Sequence, residues 1–287
     1  MNNKVKMKRH ESFSIREGWL VKGIKAVIDN PKVFSSQSAT EILGIGSNMV
    51  KALKYWLIAT RIIDDSSKNV QLSEFGQLLN KYDEYLDDDF SWWMIHIMMG
   101  LNIDEFYTLN MFLNKCTMQT FSKEDLFDVI SKRFASKNMI FNEKILVDEI
   151  NMIIKTYCVD DKIDNPENNF ACPLSNLELI KKIGKNLYER NKPSVKKMNY
   201  LIVYYLILNV IADNDSMSID DLINAENGPS KILNLDKILL NDYLDELRVN
   251  KLIEVNRTAG LNMIYIKQRM TIAEIFAEYF SGGHDEV

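Results

Sequence analysis

Asn48, Lys51, Lys54 and Tyr55 recur at intervals of three and four residues, so on a helix running to about Thr60 they share one polar, basic face. A carboxamide on such a face can pair with the edge of adenine, and lysine ammonium groups can meet phosphate or guanine. That is the chemistry of a recognition helix in a major groove. The opposite arc carries Met49, Val50, Leu53, Trp56 and Leu57 and must face a core. Upstream, residues 39–43 read as a short helix, Gly44 and Gly46 as a turn, and Ser47 as the N-cap of the next helix. This is the layout of a helix-turn-helix. A tight helical hairpin with a glycine turn gives the same pattern, so a packing corner is the alternative.

A second basic group lies near the carboxyl end. Residues 248–269 hold Arg248, Lys251, Arg257, Lys267 and Arg269 against one acid, Glu254. Residues 253–257 and 263–267 alternate like strands about a turn at 258–262, after an amphipathic helix marked by Leu240, Tyr243, Leu244 and Leu247. Helix followed by hairpin is a winged-helix signature, and a basic wing can touch phosphate. A solvated hairpin has the same composition. Near the amino end, a helix is predicted over residues 14–28, with Ile15, Trp19, Leu20, Gly23 and Val27 as its apolar stripe and Asn30-Pro31 as its stop. Arg16, Lys22 and Lys25 lie off that stripe and join the candidate DNA contacts.

Other chemistry has little support. His96 lies in the apolar run 90–99 with no second ligand three or four residues away, which favours a core or interface histidine over a metal or acid/base role. The polar stretch 157–173 contains Asp160, Asp161, Asp164 and Glu167 but lacks calcium-loop spacing and its central glycine, so partner contact is the better reading. Cys116, Cys158 and Cys172 show no paired spacing and are read as reduced thiols. No P-loop, nucleophile-base pair or metal cluster is visible, and no cofactor is called for.

The elements that must position these residues are mainly helical. Residues 61–76 can form two short strands about a turn and lead into a helix, giving a first wing. The run 90–99 reads as a core helix behind Asp87, Asp88 and Asp89, and residues 199–212 as another. Ser122 and Asp125 mark a capped helix start, and residues 218–223 a short helix. Trp19, Leu53, Trp56, Trp92 and Leu206 are expected to be buried. The fold predicted is mainly α, with two winged-helix-like domains, 1–100 and 196–287, flanking a helical middle region, 101–195.

The chain has 287 residues, 46% of them apolar and 26% charged, a composition that excludes disordered and fibrous classes and fits two or three globular domains. The net charge of −5 is uneven: residues 1–63 carry eleven basic and four acidic side chains, a surplus of +7, and the remainder carries −12. A basic head on an acidic body suits a polyanionic partner, although a lysine-rich solvated surface looks the same. The longest apolar run is 13 residues, short of the roughly 20 a bilayer asks for, and no export signal is visible after the basic amino end. The expected location is cytoplasmic.

Several blocks together resemble one bacterial family: His10-Glu-Ser-Phe-Ser-Ile-Arg-Glu-Gly-Trp-Leu-Val-Lys-Gly23, Leu43-Gly-Ile-Gly-Ser-Asn-Met-Val50, Tyr85-Leu-Asp with Trp93 and His96, Asn165-Pro-Glu-Asn, and Arg257-Thr-Ala-Gly-Leu261. It is a domain family of unknown function whose genes often lie beside phosphoadenosine-phosphosulfate-reductase-like genes in phage-defence or DNA-phosphorothioation islands. The resemblance runs from residue 10 to about 280 and carries over no catalytic residue. It implies a DNA-linked defence role. The reading that results is a non-enzymatic DNA-binding specificity or regulatory subunit. Its expected partners are double-stranded DNA, a phosphoadenosine-phosphosulfate-reductase-like enzyme or an ATPase, and a second copy of the chain. The alternative is a protein-interaction adaptor whose winged helices only pack.

Overall fold

A computed structural model of the protein describes residues 7–65, 69–158, 171–193, 198–257 and 262–282. The chain divides into two compact units, residues 1–191 and 192–287. Both are mostly helical, with small antiparallel sheets. The candidate cation loop 160–167 and the turn 258–261 lie outside the described residues.

The first unit opens with a non-helical segment. Helix α1 (Trp19–Asp29) begins at Gly18, whose φ of +70° suits a residue without a Cβ, so the helix starts five residues later than the stripe predicted. Ile15 is buried from outside any helix. Helices α2 (Ala39–Leu43) and α3 (Ser47–Ala59) follow, joined at Gly44 with φ +61°. Strands β1 (Ile63–Asp64) and β2 (Gln71–Leu72) pair antiparallel, Ile63 opposite Leu72. Helix α4 (Glu74–Tyr82) is capped by Ser73, whose hydroxyl accepts from the Gly76 amide. A Cβ on Gly76 would meet the Ile62 carbonyl oxygen at 2.1 Å, so only glycine lets α4 close against the end of α3.

Helix α5 (Asp89–Gly100) is apolar nearly all round because it runs through the core, burying ten of its twelve residues behind the Asp88 cap. His96 is fully buried there, its Nδ1 2.7 Å from the Tyr157 hydroxyl. Trp19, Leu53, Trp56 and Leu206 are buried as expected. Trp92 is not: it is half-buried, and its indole N–H donates to the Leu86 carbonyl at 2.9 Å.

The region after residue 100 differs from a purely helical middle. Helix α6 (Tyr107–Lys115), strand β3 (Thr120–Phe121), helices α7 (Lys123–Ser136) and α8 (Glu143–Tyr157), and strands β4 (Ile180–Gly184) and β5 (Leu187–Arg190) form a helical layer and a sheet of order β3-β5-β4. Ser122 and Asp125 make the expected capping box at the start of α7. This region belongs to the same compact unit as residues 1–100, and the amino-terminal segment shows why. The Glu149 side chain of α8 is 2% exposed. It accepts from the Lys8 amide at 2.6 Å and the Thr108 hydroxyl at 2.8 Å, and lies 3.2 Å from His10 Nε2. The Ser12 amide donates to His10 Nδ1, which leaves Nε2 as the ring N–H aimed at Glu149. The Trp56 indole N–H donates to the Phe13 carbonyl at 2.8 Å, and Arg9 pairs with Glu105.

In the second unit, helix α9 (Tyr200–Ile211) is the buried helix that the sequence indicated. Strand β6 (Ser216–Ser218), helices α10 (Ile219–Asn224), α11 (Pro229–Ile232) and α12 (Lys237–Val249), strands β7 (Ile253–Asn256) and β8 (Met263–Ile266), and helix α13 (Ile272–Ser281) complete it. Its sheet order is β6-β8-β7, so the first strand pairs with the last, as in the sheet of the first unit. No helix among the described residues is long and apolar enough to cross a membrane.

Replacing Glu149 by Ala strands three buried donors and is expected to destabilise the protein by about 3 kcal/mol or more, whereas Glu149→Gln keeps part of the network and costs less. Urea unfolding of the two variants checks this ordering, and equal midpoints would contradict the role given to the carboxylate.

Candidate nucleic-acid interface

The first candidate face is built on α3. Val50, Leu53, Trp56 and Leu57 are buried beneath it, so the helix is held by its apolar arc as the spacing requires. Asn48 and Lys51 are exposed, and the Lys51 ammonium lies 3.3 Å from Asn48 Oδ1. Lys54 is about one-third exposed and pairs with Asp65 at 2.9 Å. Ser47 is exposed but is the first helical residue, the N-cap being Gly46, so its hydroxyl does not perform the capping expected of it.

Tyr55 departs from the expected face. It is 3% exposed, its hydroxyl donates to the Glu105 carbonyl at 3.2 Å, and its ring packs at 5.0 Å from Trp56. Burial, with the Glu149 and Glu105 carboxylates adding to it, pushes the phenol well above its usual pKa. The helical arc put Tyr55 outward, but the amino-terminal segment and the loop before α6 cover that side of the helix.

The other amino-terminal candidates are engaged within the fold. The Lys22 ammonium donates to the Leu43 carbonyl at 3.0 Å, closing the end of α2. Lys25 pairs with Glu84 at 3.0 Å and lies 4.4 Å from the centre of the Tyr85 ring. Arg16 stacks over Phe13 and Trp19, 5.7 and 5.5 Å from the ring centres.

The carboxyl-terminal candidates form no continuous basic wing. Arg248 and Arg257 both turn to Asp245, at 3.5 and 3.2 Å, and Arg257 also donates to Asn241 at 2.9 Å. Lys267 pairs with Glu254 at 2.6 Å. Lys251, with φ +61°, is exposed and has no ion pair among the described residues. The helix before the hairpin, α12, shows solvent Asp242 and Glu246 together with Ile238 and Val249, which are 72% and 70% exposed. Its outward face mixes these acidic and apolar side chains with Lys237 and Arg248, each of which is paired to an aspartate. The sequence reading counted the arginines and missed that their counterions stand on the adjacent helix.

Among the described residues no group of three or more His, Cys, Asp or Glu side chains is placed to hold a metal ion. Cys172 is buried, and burial pushes its thiol up to about 12, while Cys116 is likewise buried and raised. Neither thiol is a nucleophile near neutral pH.

Tyr55→Phe removes one buried hydrogen bond and is expected to cost about 1 kcal/mol in stability while leaving any nucleic-acid affinity unchanged. Thermal unfolding beside a binding titration reads both quantities, and a loss of affinity at unchanged stability would return Tyr55 to the contact face.

Two solved structures share this fold. The crystal structure of magnesium ion-bound SspB superposes with a TM-score of 0.84 at 20% identity, covering 98% of this chain and 89% of that one. A second crystal structure of SspB gives a TM-score of 0.83 at 20% identity, with the same coverage. No curated protein matches the sequence. The model of the family described as protein of unknown function (DUF4007) matches residues 7–280, and the chain belongs to that family.

Proposed function

We propose that the protein is a non-enzymatic subunit that binds double-stranded DNA and gives specificity or regulation to a DNA-modification or antiphage system. The observation that carries this reading is the α2-turn-α3 unit, with its apolar arc in the core and Asn48 and Lys51 in solvent. The order helix-strand-helix-helix-strand-strand, with the first strand paired to the last, supports winged-helix modules behind it. The pairing of Lys54 with Asp65 does not oppose the reading, because an exposed ion pair contributes only about 0–1 kcal/mol and a phosphate can replace the carboxylate. The defence setting, and a phosphoadenosine-phosphosulfate-reductase-like enzyme or ATPase as companion, rest on the sequence resemblance.

A second reading has its own support. The outward face of α12, with Asp242, Glu246, Ile238 and Val249, suits a protein partner better than DNA. In this adaptor reading the second unit docks the companion enzyme, and the basic side chains near β7 and β8 serve only to fix α12 through Asp245.

Anisotropy of a labelled duplex across salt tests the main proposal. Lys51→Ala with Lys54→Ala is expected to weaken binding and lower the salt slope by about two, whereas Asn48→Ala mainly blurs sequence preference. Unchanged affinity and slope in the double variant would remove α3 as a reading head. One solved relative in fold is a magnesium-bound form, so supercoiled plasmid incubated with the protein and magnesium tests the non-enzymatic part. The plasmid is expected to stay supercoiled, and conversion to open circles would overturn that part.

A further inference from the structure

Part of the element order of the second unit, without α11 and α13, occurs also inside the first. There α6, β3, α7, α8, β4 and β5 follow the sequence of α9, β6, α10, α12, β7 and β8, and the sheet orders β3-β5-β4 and β6-β8-β7 correspond strand for strand. Helix α8 precedes the β4-β5 hairpin in chain order as α12 precedes the β7-β8 hairpin, although a longer connection that includes Pro173–Leu177 separates α8 from β4. The two helices differ in what they show to solvent.

The exposed residues of α8 are Glu143, Lys144, Val147, Asn151 and Lys155, the last four spaced three and four apart. An amide between two lysines is the same composition that α3 presents. Lys123, the first residue of α7, reaches Asn151 Oδ1 at 2.7 Å, and its neighbour Glu124 accepts from Asn186 in the β4-β5 turn. The start of α7 thus bridges the middle of α8 to the hairpin tip, where Lys185 is exposed. A β-bulge between Lys182 and Gly184 turns Ile183 outward on the same hairpin. Lys144, Lys181 and Lys185 have no ion pair among the described residues, in contrast to Lys54, Arg248, Arg257 and Lys267. Of the nearby acids, Asp148 is held by Lys8 at 2.7 Å and Glu124 by Asn186, Glu189 stands across the strand pair from Lys181, and Glu143 begins the helix. Partial burial, with the like charge of Arg16 adding to it, holds the Lys155 ammonium below the usual lysine pKa.

We propose that the outward face of α8, with the β4-β5 hairpin beside it, is a second surface of this protein for duplex DNA, gripping the phosphodiester backbone through Lys144, Lys155 and Lys185. This rests on the DNA-binding reading and extends it to a part of the chain that the sequence marked as merely helical. Charge complementarity selects the occupant: Asp148 is neutralised by Lys8, and the exposed Lys144, Lys155 and Lys185 outnumber Glu143 on this face.

The test uses the full chain and a labelled duplex of about two helical turns, titrated between about 50 and 200 mM salt. Lys144→Glu with Lys155→Glu is expected to weaken binding about tenfold or more and to lower the salt slope by about two, while Lys144→Arg with Lys155→Arg binds as the unaltered protein does. Lys185→Glu, at an exposed turn that cannot disturb the core, is expected to lower the slope by about one. If the unaltered protein binds DNA and all of these variants bind equally well, the α8 proposal fails and the DNA reading stands on α3. If the unaltered protein binds no duplex at any salt, both fail. Loss of DNA binding through Lys51 and Lys54 alone, with the α8 variants instead losing an acidic protein partner, also overturns the proposal.

Discussion

Glu149 is buried in a helix and takes hydrogen bonds from a backbone amide, a threonine hydroxyl and a histidine ring. A carboxylate removed from water is costly unless such donors surround it, so the segment that supplies two of them is fixed in place. That segment, from Lys8 to Ile15, then touches both α3 and α8, the helices proposed to meet DNA. It reaches α8 through Glu149 and Asp148. It reaches α3 through the Trp56 indole, which donates to Phe13 and lies parallel to the His10 ring at 6.3 Å. The amino-terminal segment thereby acts as a strap that ties α3 to α8 within the first unit.

The charge distribution takes on a different meaning once partners are visible. The surplus of positive charge in residues 1–63 is real, but Lys25, Lys54 and Arg9 spend it on Glu84, Asp65 and Glu105. At the carboxyl end, Asp245 gathers two arginines and Glu254 one lysine. Net charge by segment measures the field that a distant polyanion feels, whereas contact depends on which cations lack a neighbouring acid. By that criterion Lys51 on α3 and Lys144 and Lys185 in the middle of the first unit, which have no ion pair among the described residues, are the more open cations.

Much of the scaffold was legible because apolar spacing dictates it. The core helix α5, the buried α9, the turn at Gly44 and the hairpin after α12 follow from runs, stripes and glycine placement. The β4-β5 hairpin carried a signal too, since Ile180, Ile183, Leu187 and Tyr188 flank a Gly-Lys-Asn turn, but a bulge breaks the strict alternation that would mark it as strand. Tyr55 was misplaced because a helical wheel knows only one helix, and the strap that covers the tyrosine comes from forty residues earlier. The pairing of Arg257 with Asp245 is equally invisible in one dimension, for it depends on the hairpin folding back over α12. Asn151 between Lys144 and Lys155 could be read from the spacing, whereas the place of α8 ahead of a hairpin emerges only from the fold.

Amide hydrogen exchange of the full chain, followed by mass spectrometry with and without duplex DNA, addresses the central claim directly because it reads every helix in one experiment. The account requires slower exchange on adding DNA in α3, in α8 and in the β4-β5 hairpin, with α12 unaffected. Protection confined to α12 and its hairpin, or no change anywhere at saturating duplex, would contradict it.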